Sequence, residues 1–122
     1  MLSLMIRFRW QVISMALTLC VGSVCASASI KDQLNAVLSI KPDTEYGGYL
    51  AGECLTCHVS AKAGGTNDAS IPLIHGTSSE NVIQALLEYR AELRDNQIMR
   101  SVARRLTDDE IAALAAWFSQ QE

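Results

Sequence analysis

The stretch "GECLTCHVS", residues 52–60, places two thiols and an imidazole within five positions, at Cys54, Cys57 and His58. Three kinds of site use such a pattern: a redox disulfide, a zinc site and the attachment point of a covalent haem. Each of them requires different helper residues elsewhere in the chain and a different compartment. The remainder of the sequence therefore decides between them.

The amino terminus has the pattern of a signal peptide. Two basic residues, Arg7 and Arg9, precede an apolar run over residues 10–24, and small residues follow at 26–28. This order is typical of an exported protein, with cleavage before Ser29. We therefore expect the mature protein to be periplasmic.

Two alternatives to a cleaved signal peptide can be weighed from the same segment. A retained membrane anchor is disfavoured because the apolar run of about 15 residues is shorter than the roughly 20 that a spanning helix needs. Cys20 and Cys25 are candidates for lipid attachment, but Leu19 and Val24 stand where a lipoprotein signal has a small residue. We expect residues 1–28 to be removed and the mature chain to have no membrane span.

The composition describes one small, mildly acidic domain. The chain has 122 residues, 10 of them basic and 13 acidic, with a formal net charge of −3, which gives no electrostatic basis for nucleic-acid binding. Without residues 1–28, the cysteines that remain are Cys54 and Cys57, and the methionine that remains is Met99. A domain of this size buries a limited core, and a disulfide between these cysteines would close only a trivial loop. We expect a cofactor in its interior.

The hydrophobic periodicity predicts helices and no strands, hence an all-α fold. A short amphipathic pattern over residues 29–40 ends before Pro42, and a second helix, capped by Asp43 or Thr44, leads to Cys54. The segment 61–70, AKAGGTNDAS, is typical of a loop. Two capping-box signatures then open two further helices. The signatures are Thr77 with Glu80, before Val82, Ile83, Leu86, Leu87 and Leu93, and Thr107 with Glu110, before Ile111, Leu114, Ala115 and Phe118.

This helical pattern favours haem among the three chemistries. A thioredoxin-type pair of cysteines follows a strand, and no strand pattern precedes Cys54. Zinc needs four ligands, but His58 directly follows Cys57, and both could hardly turn to one tetrahedral metal. Cys-x-x-Cys-His is the attachment signature of a c-type haem, in which two thioethers hold one edge of the porphyrin and the histidine binds the iron.

Met99 and His75 are the candidates for a second axial ligand. Met99 lies 41 residues after His58, between two predicted helices, in a polar loop with at most one helical turn through Val102. Since its neighbours are polar, it does not belong to an apolar helical stripe, and we favour it as the ligand. His75 lies among apolar residues in "SIPLIHGTS", and we interpret it as a partly buried histidine near the cofactor.

These stretches resemble a family, the class I c-type cytochromes of the small bacterial soluble type. The resemblance rests on "YGGYLAGECLTCH", "IPLIHG" and the segment from Val82 to Gln120, and it covers nearly all of the mature chain. It implies a class I cytochrome c fold over residues 44–122, preceded by an extension or short helix over 29–43. It also implies that Gly47 and Gly48 lie where the first and last helices cross, near Trp117.

The resemblance further implies how one covalently attached haem c and its iron are held. By it, the haem is bound to Cys54 and Cys57, and His58 and Met99 are the axial ligands of the iron. Pro72 would place its carbonyl group on the other nitrogen of His58. With both axial positions filled by protein, the resemblance indicates an electron carrier and not an enzyme.

A narrower resemblance concerns the monohaem cytochrome subunits of flavocytochrome c sulfide dehydrogenases, which accept electrons from a sulfide-oxidising flavoprotein. The alternative is a freely diffusing carrier between a respiratory complex and a terminal oxidase or reductase; a haem sensor or peroxidase is a third class. Arginines around Met99 make that segment basic. They are candidates for docking a partner, for pairing with the haem propionates or for a solvated helix face. Residues 29–41 are either a clamp on a partner or a capping helix.

Overall fold

A computed structural model of the protein describes residues 29–59 and 71–121. The predicted signal peptide and its two cysteines, the predicted loop 61–70 and Glu122 lie outside the described residues.

Five helices make up the described ranges, where no strand occurs, and this confirms the predicted all-α class. They are α1 (Ile30–Leu38), α2 (Thr44–Leu55), α3 (Ser79–Arg90), α4 (Gln97–Ala103) and α5 (Asp108–Ser119). None of these helices combines the length and the apolar character that crossing a bilayer requires.

The helix starts follow the capping residues, with one correction. At α5, Glu110 N–H donates to Thr107 Oγ1 and Thr107 N–H donates to Glu110 Oε2, the predicted capping box. The bond from Thr107 lowers the pKa of Glu110. The predicted cap at Thr77 is wrong, because Thr77 N–H is used in a turn to Ile74 O, and the cap of α3 is Ser78.

Helix α5 is the centre of the fold. Its predicted apolar face is confirmed: Ile111, Leu114, Ala115 and Phe118 are all buried. Helices α1, α2 and α3 pack on it. Because burying a large apolar side chain stabilises a fold by about 1.5–3 kcal/mol, this face contributes much of the driving force for assembly.

Helix α1 belongs to the same core. It buries Leu34 and Val37, and it packs on both α3 and α5. On α3 the buried residues are Val82, Ile83, Leu86 and Leu87. Leu93, which the periodicity placed on the same face, lies beyond the end of this helix and is exposed, so that part of the prediction is wrong.

Helix α2 packs on α5 and on no other described helix. The contact is close because two glycines lie in it, as the family resemblance implied. A Cβ atom added to Gly47 would lie 2.6 Å from the carbonyl carbon of Ala113, and one added to Gly48 would lie 2.7 Å from Trp117 Nε1. The position of α2, and of the cysteines at its end, therefore depends on this crossing.

We predict that Gly47→Ala destabilises the protein by about 2–3 kcal/mol, because its methyl group would overlap a backbone that cannot move aside. Gly48→Ala should cost less, since it meets only an indole ring that can shift. Thermal unfolding of the two holoproteins measures the difference. A Gly47→Ala variant as stable as the wild type would contradict the proposed close crossing.

Candidate functional site

One cleft contains all five residues that the sequence nominated. Its volume is about 1140 Å³. Cys54, Cys57, His58, Pro72 and Met99 line it, together with residues of α3, α4 and α5. The cleft exceeds the roughly 300–1,000 Å³ common for small-molecule sites, and it therefore has room for a large ring.

The two thiols and the imidazole are brought together by the last turn of α2. Cys57 N–H and His58 N–H both donate to the carbonyl oxygen of Cys54, at 3.2 and 2.9 Å. Both cysteines are free, with Cys54 half-buried and Cys57 exposed. Burial raises the pKa of the Cys54 thiol. The helix end thus presents to the same cleft two sulfur atoms that are in no disulfide.

His58 is held in one orientation by a hydrogen bond across the chain. Its Nδ1 lies 2.7 Å from the carbonyl oxygen of Pro72. Because a carbonyl oxygen only accepts, Nδ1 carries the hydrogen in this bond, and the lone pair of the neutral ring is on Nε2. A histidine with one nitrogen fixed in this way is the usual arrangement for a metal ligand.

Met99 lies in α4, a helix of seven residues, and not in a polar loop with at most one helical turn. This helix begins where Met99 N–H donates to Asn96 Oδ1 at 3.0 Å. Helix α4 packs on α3, whereas α2 contacts neither of these two helices in the described ranges. Met99 and His58 therefore reach the cleft from different walls.

His75 does not line the cleft. Its ring centroid lies 6.0 Å from that of Phe118 and 6.3 Å from that of Trp117. Its Nδ1 is buried and has no hydrogen-bond partner among the described residues. The structure thus separates the two candidates for a second ligand, since Met99 enters the cleft and His75 packs behind it.

The arginines around Met99 are largely committed to partners within the chain. Arg90 pairs with Asp108 at 2.6 Å, Arg104 with Glu92 at 2.9 Å, Arg100 with Asp95 at 3.4 Å and Arg94 with Glu88 at 3.7 Å. Each of these four arginines thus has a carboxylate nearby, which leaves less free charge for docking than the sequence suggested. Among these paired arginines, Arg94 is the one that lines the cleft.

The cleft fits a c-type haem by its donors and by its walls. Two thiols and a fixed imidazole lie at one side, and the thioether of Met99 comes from another element. Between them are the apolar side chains of Val82, Leu86, Leu114 and Phe118. Apolar walls around a covalent iron porphyrin limit the access of water, which is one means by which proteins tune the iron's reduction potential.

Two known proteins are similar to the chain. It is 35% identical over 78 residues to cytochrome c4 of Azotobacter vinelandii, a match that covers 58% of this chain and 37% of that protein. It is 32% identical over 81 residues to the cytochrome subunit of sulfide dehydrogenase of Chlorobaculum tepidum, covering 66% of this chain and 71% of that subunit. The match thus spans little more than a third of cytochrome c4. No protein-family model matches the chain.

These similarities confirm the resemblance deduced from the attachment motif, and the helical architecture agrees with it. The coverage of the sulfide dehydrogenase cytochrome subunit is broad enough to establish the family. The chain belongs to the class I c-type cytochromes, and its cofactor is a covalently bound haem c.

Proposed function

We propose that the protein is a periplasmic monohaem electron carrier in which Cys54 and Cys57 hold the haem and His58 and Met99 bind its iron. The main observation behind this proposal is that these four side chains line one cleft and that His58 Nδ1 is hydrogen-bonded to the carbonyl oxygen of Pro72. Haem c supplies a one-electron couple between ferric and ferrous iron.

The chain's own residues keep both axial positions occupied in this proposal. Pro72 O orients the imidazole, and Asn96 sets the start of the helix that carries Met99. No position then remains for a substrate, so the reaction is outer-sphere electron transfer, and no Asp, Glu or Arg is needed as an acid or base. A methionine ligand together with histidine favours a higher reduction potential.

The mouth of the cleft offers an exit for electrons near the exposed Cys57. Three of the side chains that line the cleft are hydrophobic and largely exposed: Tyr49 is 80% exposed, Ile98 73% and Leu73 53%. A stable protein partner usually covers an apolar patch, whereas a transient one is steered by a ring of charge. Since four of the five arginines around Met99 pair with carboxylates of the chain, the exposed apolar side chains favour a stable partner.

We further propose that this partner is a sulfide-oxidising flavoprotein. The similarity to the cytochrome subunit of sulfide dehydrogenase supports it, because the match extends over 71% of that subunit. The second candidate is a freely diffusing carrier, which the similarity to cytochrome c4 favours. The predicted signal peptide supports a periplasmic location for either function.

The axial ligand is tested by Met99→Ala, with Ile98→Ala as the matched control on the same helix. Loss of a methionine ligand should lower the reduction potential and open the ferric iron to added imidazole. Ile98→Ala and His75→Ala should keep the wild-type visible spectrum. A Met99→Ala protein with a wild-type spectrum, or a His75→Ala protein without one, would contradict the assignment.

The partner is tested by purifying the tagged protein gently from the periplasm of its native host. We expect a flavin-bearing chain to copurify and sulfide to reduce the haem. Tyr49→Ser together with Leu73→Ser should weaken this association at least tenfold, while Leu38→Ser, an exposed apolar residue away from the cleft, should leave it intact. A cytochrome that emerges alone and stays ferric with sulfide would indicate the diffusible carrier.

A further inference from the structure

Two cationic side chains among the described residues line the cleft, those of Arg94 and Arg105, apart from the histidine. A c-type haem brings two carboxylates, its propionates, on the edge opposite the thioether bonds. A carboxylate at a partly buried site needs hydrogen-bond donors or a cation, because leaving it without either carries a large desolvation cost. Either Arg94 or Arg105 could supply the cation that a propionate needs.

Arg94 is held in place by its neighbours. Its guanidinium carbon lies 5.1 Å from the centre of the Tyr89 ring, and its Nε lies 3.7 Å from Glu88 Oε2. Glu88 is itself fixed, since Gln84 Nε2 donates to its other oxygen at 2.7 Å. Stacking on an aromatic face and a carboxylate at Nε together orient the plane of the guanidinium group.

The terminal nitrogens of Arg94 remain available. Neither Nη1 nor Nη2 has a hydrogen-bond or ion-pair partner within the described residues, whereas Arg90, Arg100 and Arg104 each use at least one terminal nitrogen in a hydrogen bond. A guanidinium group whose ion pair is made through Nε, here at 3.7 Å, can still present both terminal nitrogens to a second carboxylate. For Arg105, no side-chain hydrogen bond, ion pair or ring contact with residues 29–59 or 71–121 fixes its direction.

The backbone that carries Arg94 is also fixed. Arg100 Nε donates to Arg94 O at 2.8 Å, and Leu93 N–H donates to Glu88 O at the same distance. This segment joins α3 to α4, and neither of these helices contacts the cysteine-bearing α2. Arg94 therefore lies on a wall of the cleft that is separate from the wall holding Cys54 and Cys57.

We propose that Arg94, stacked on Tyr89, binds a haem propionate through its terminal nitrogens and raises the reduction potential of the iron. Because it requires haem at Cys54 and Cys57, this assignment rests on the function proposed above. A fixed positive charge beside the haem disfavours ferric iron relative to ferrous iron, which carries one charge less. The same charge keeps the propionate ionised at neutral pH.

The test is Arg94→Gln, with Arg104→Gln as its matched control. Both arginines pair with a glutamate and are about equally exposed, at 47% and 52% of their side chains, but Arg104 does not line the cleft. Reduction potentials are measured from pH 5 to 9 by spectroscopic redox titration; the pH range is about that over which histidine and a perturbed carboxyl titrate.

For Arg94→Gln we expect a ferric-to-ferrous ratio about tenfold higher at a given potential, a fall of about 59 mV for a one-electron couple. The potential should also begin to rise as the pH falls, since a propionate without its cation takes up a proton more readily. Arg104→Gln should follow the wild type. An Arg94→Gln curve that coincides with the control, or an Arg105→Gln protein that shows the larger shift, would overturn the assignment.

Arg94→Lys provides a second test if the glutamine variant does not accumulate. It keeps the charge but lacks the planar pair of terminal nitrogens, so the propionate bending band in the resonance Raman spectrum should move. The same band should stay in place in Arg104→Lys. Coincident bands for Arg94→Lys and the wild type would overturn the proposal. If the haem remains attached and the spectral signature of its axial ligands is unchanged in every variant, the proposed function stands. A failed test then concerns only the assignment of Arg94.

Discussion

The close approach of α2 to α5 at Gly47 is the constraint on which the site depends. Helix α2 packs on no other described helix, so this crossing, together with the His58–Pro72 hydrogen bond, sets the direction in which its last turn points. A side chain at Gly47 would push the helix away from the backbone of Ala113. The cysteines and His58, carried at the end of that helix, would then move relative to the wall that carries Met99.

The cleft that this crossing helps to form receives its ligand atoms from separate elements of the chain. The turn after α2 supplies two thiols and an imidazole, the segment after residue 70 supplies the Pro72 carbonyl, and α4 supplies a thioether. A haem bound by all of them would tie these elements together. We infer that attachment of the cofactor contributes strongly to the stability of so small a domain, because binding energy to the folded state adds directly to folding.

The sequence predicted the structural features that rest on a repeated residue pattern or that leave few alternative interpretations. The apolar face of α5 and its capping box were readable because periodicity and cap chemistry point to the same helix. The start of α3 was misplaced by one residue because Thr77 and Ser78 are both good caps, and only the turn at Ile74 decides between them. The local pattern did not reveal that Met99 lies within α4. A helix of only seven residues is too short for periodicity to show, and its stability depends more on the cap at Asn96, on the hydrogen bond of Arg100 and on packing against α3.

The sequence offered the arginines around Met99 as partners of the haem propionates, but it could not single out Arg94 among them, and it could not show which side chains surround His75. Several arginines cluster around Met99, and only their packing shows that most are paired and that two of them, Arg94 and Arg105, line the cleft. His75 stands close to the attachment motif in sequence, yet its ring lies against Trp117 and Phe118.

The central claim is that His58 and Met99 together bind the iron of a haem held at Cys54 and Cys57. X-ray absorption at the iron edge of the purified holoprotein tests it most directly, in both the ferric and the ferrous state. The account predicts a thioether sulfur bound to iron beside the imidazole nitrogen in both states. Iron surrounded only by nitrogen and oxygen, or a sulfur ligand lost on reduction, would contradict it.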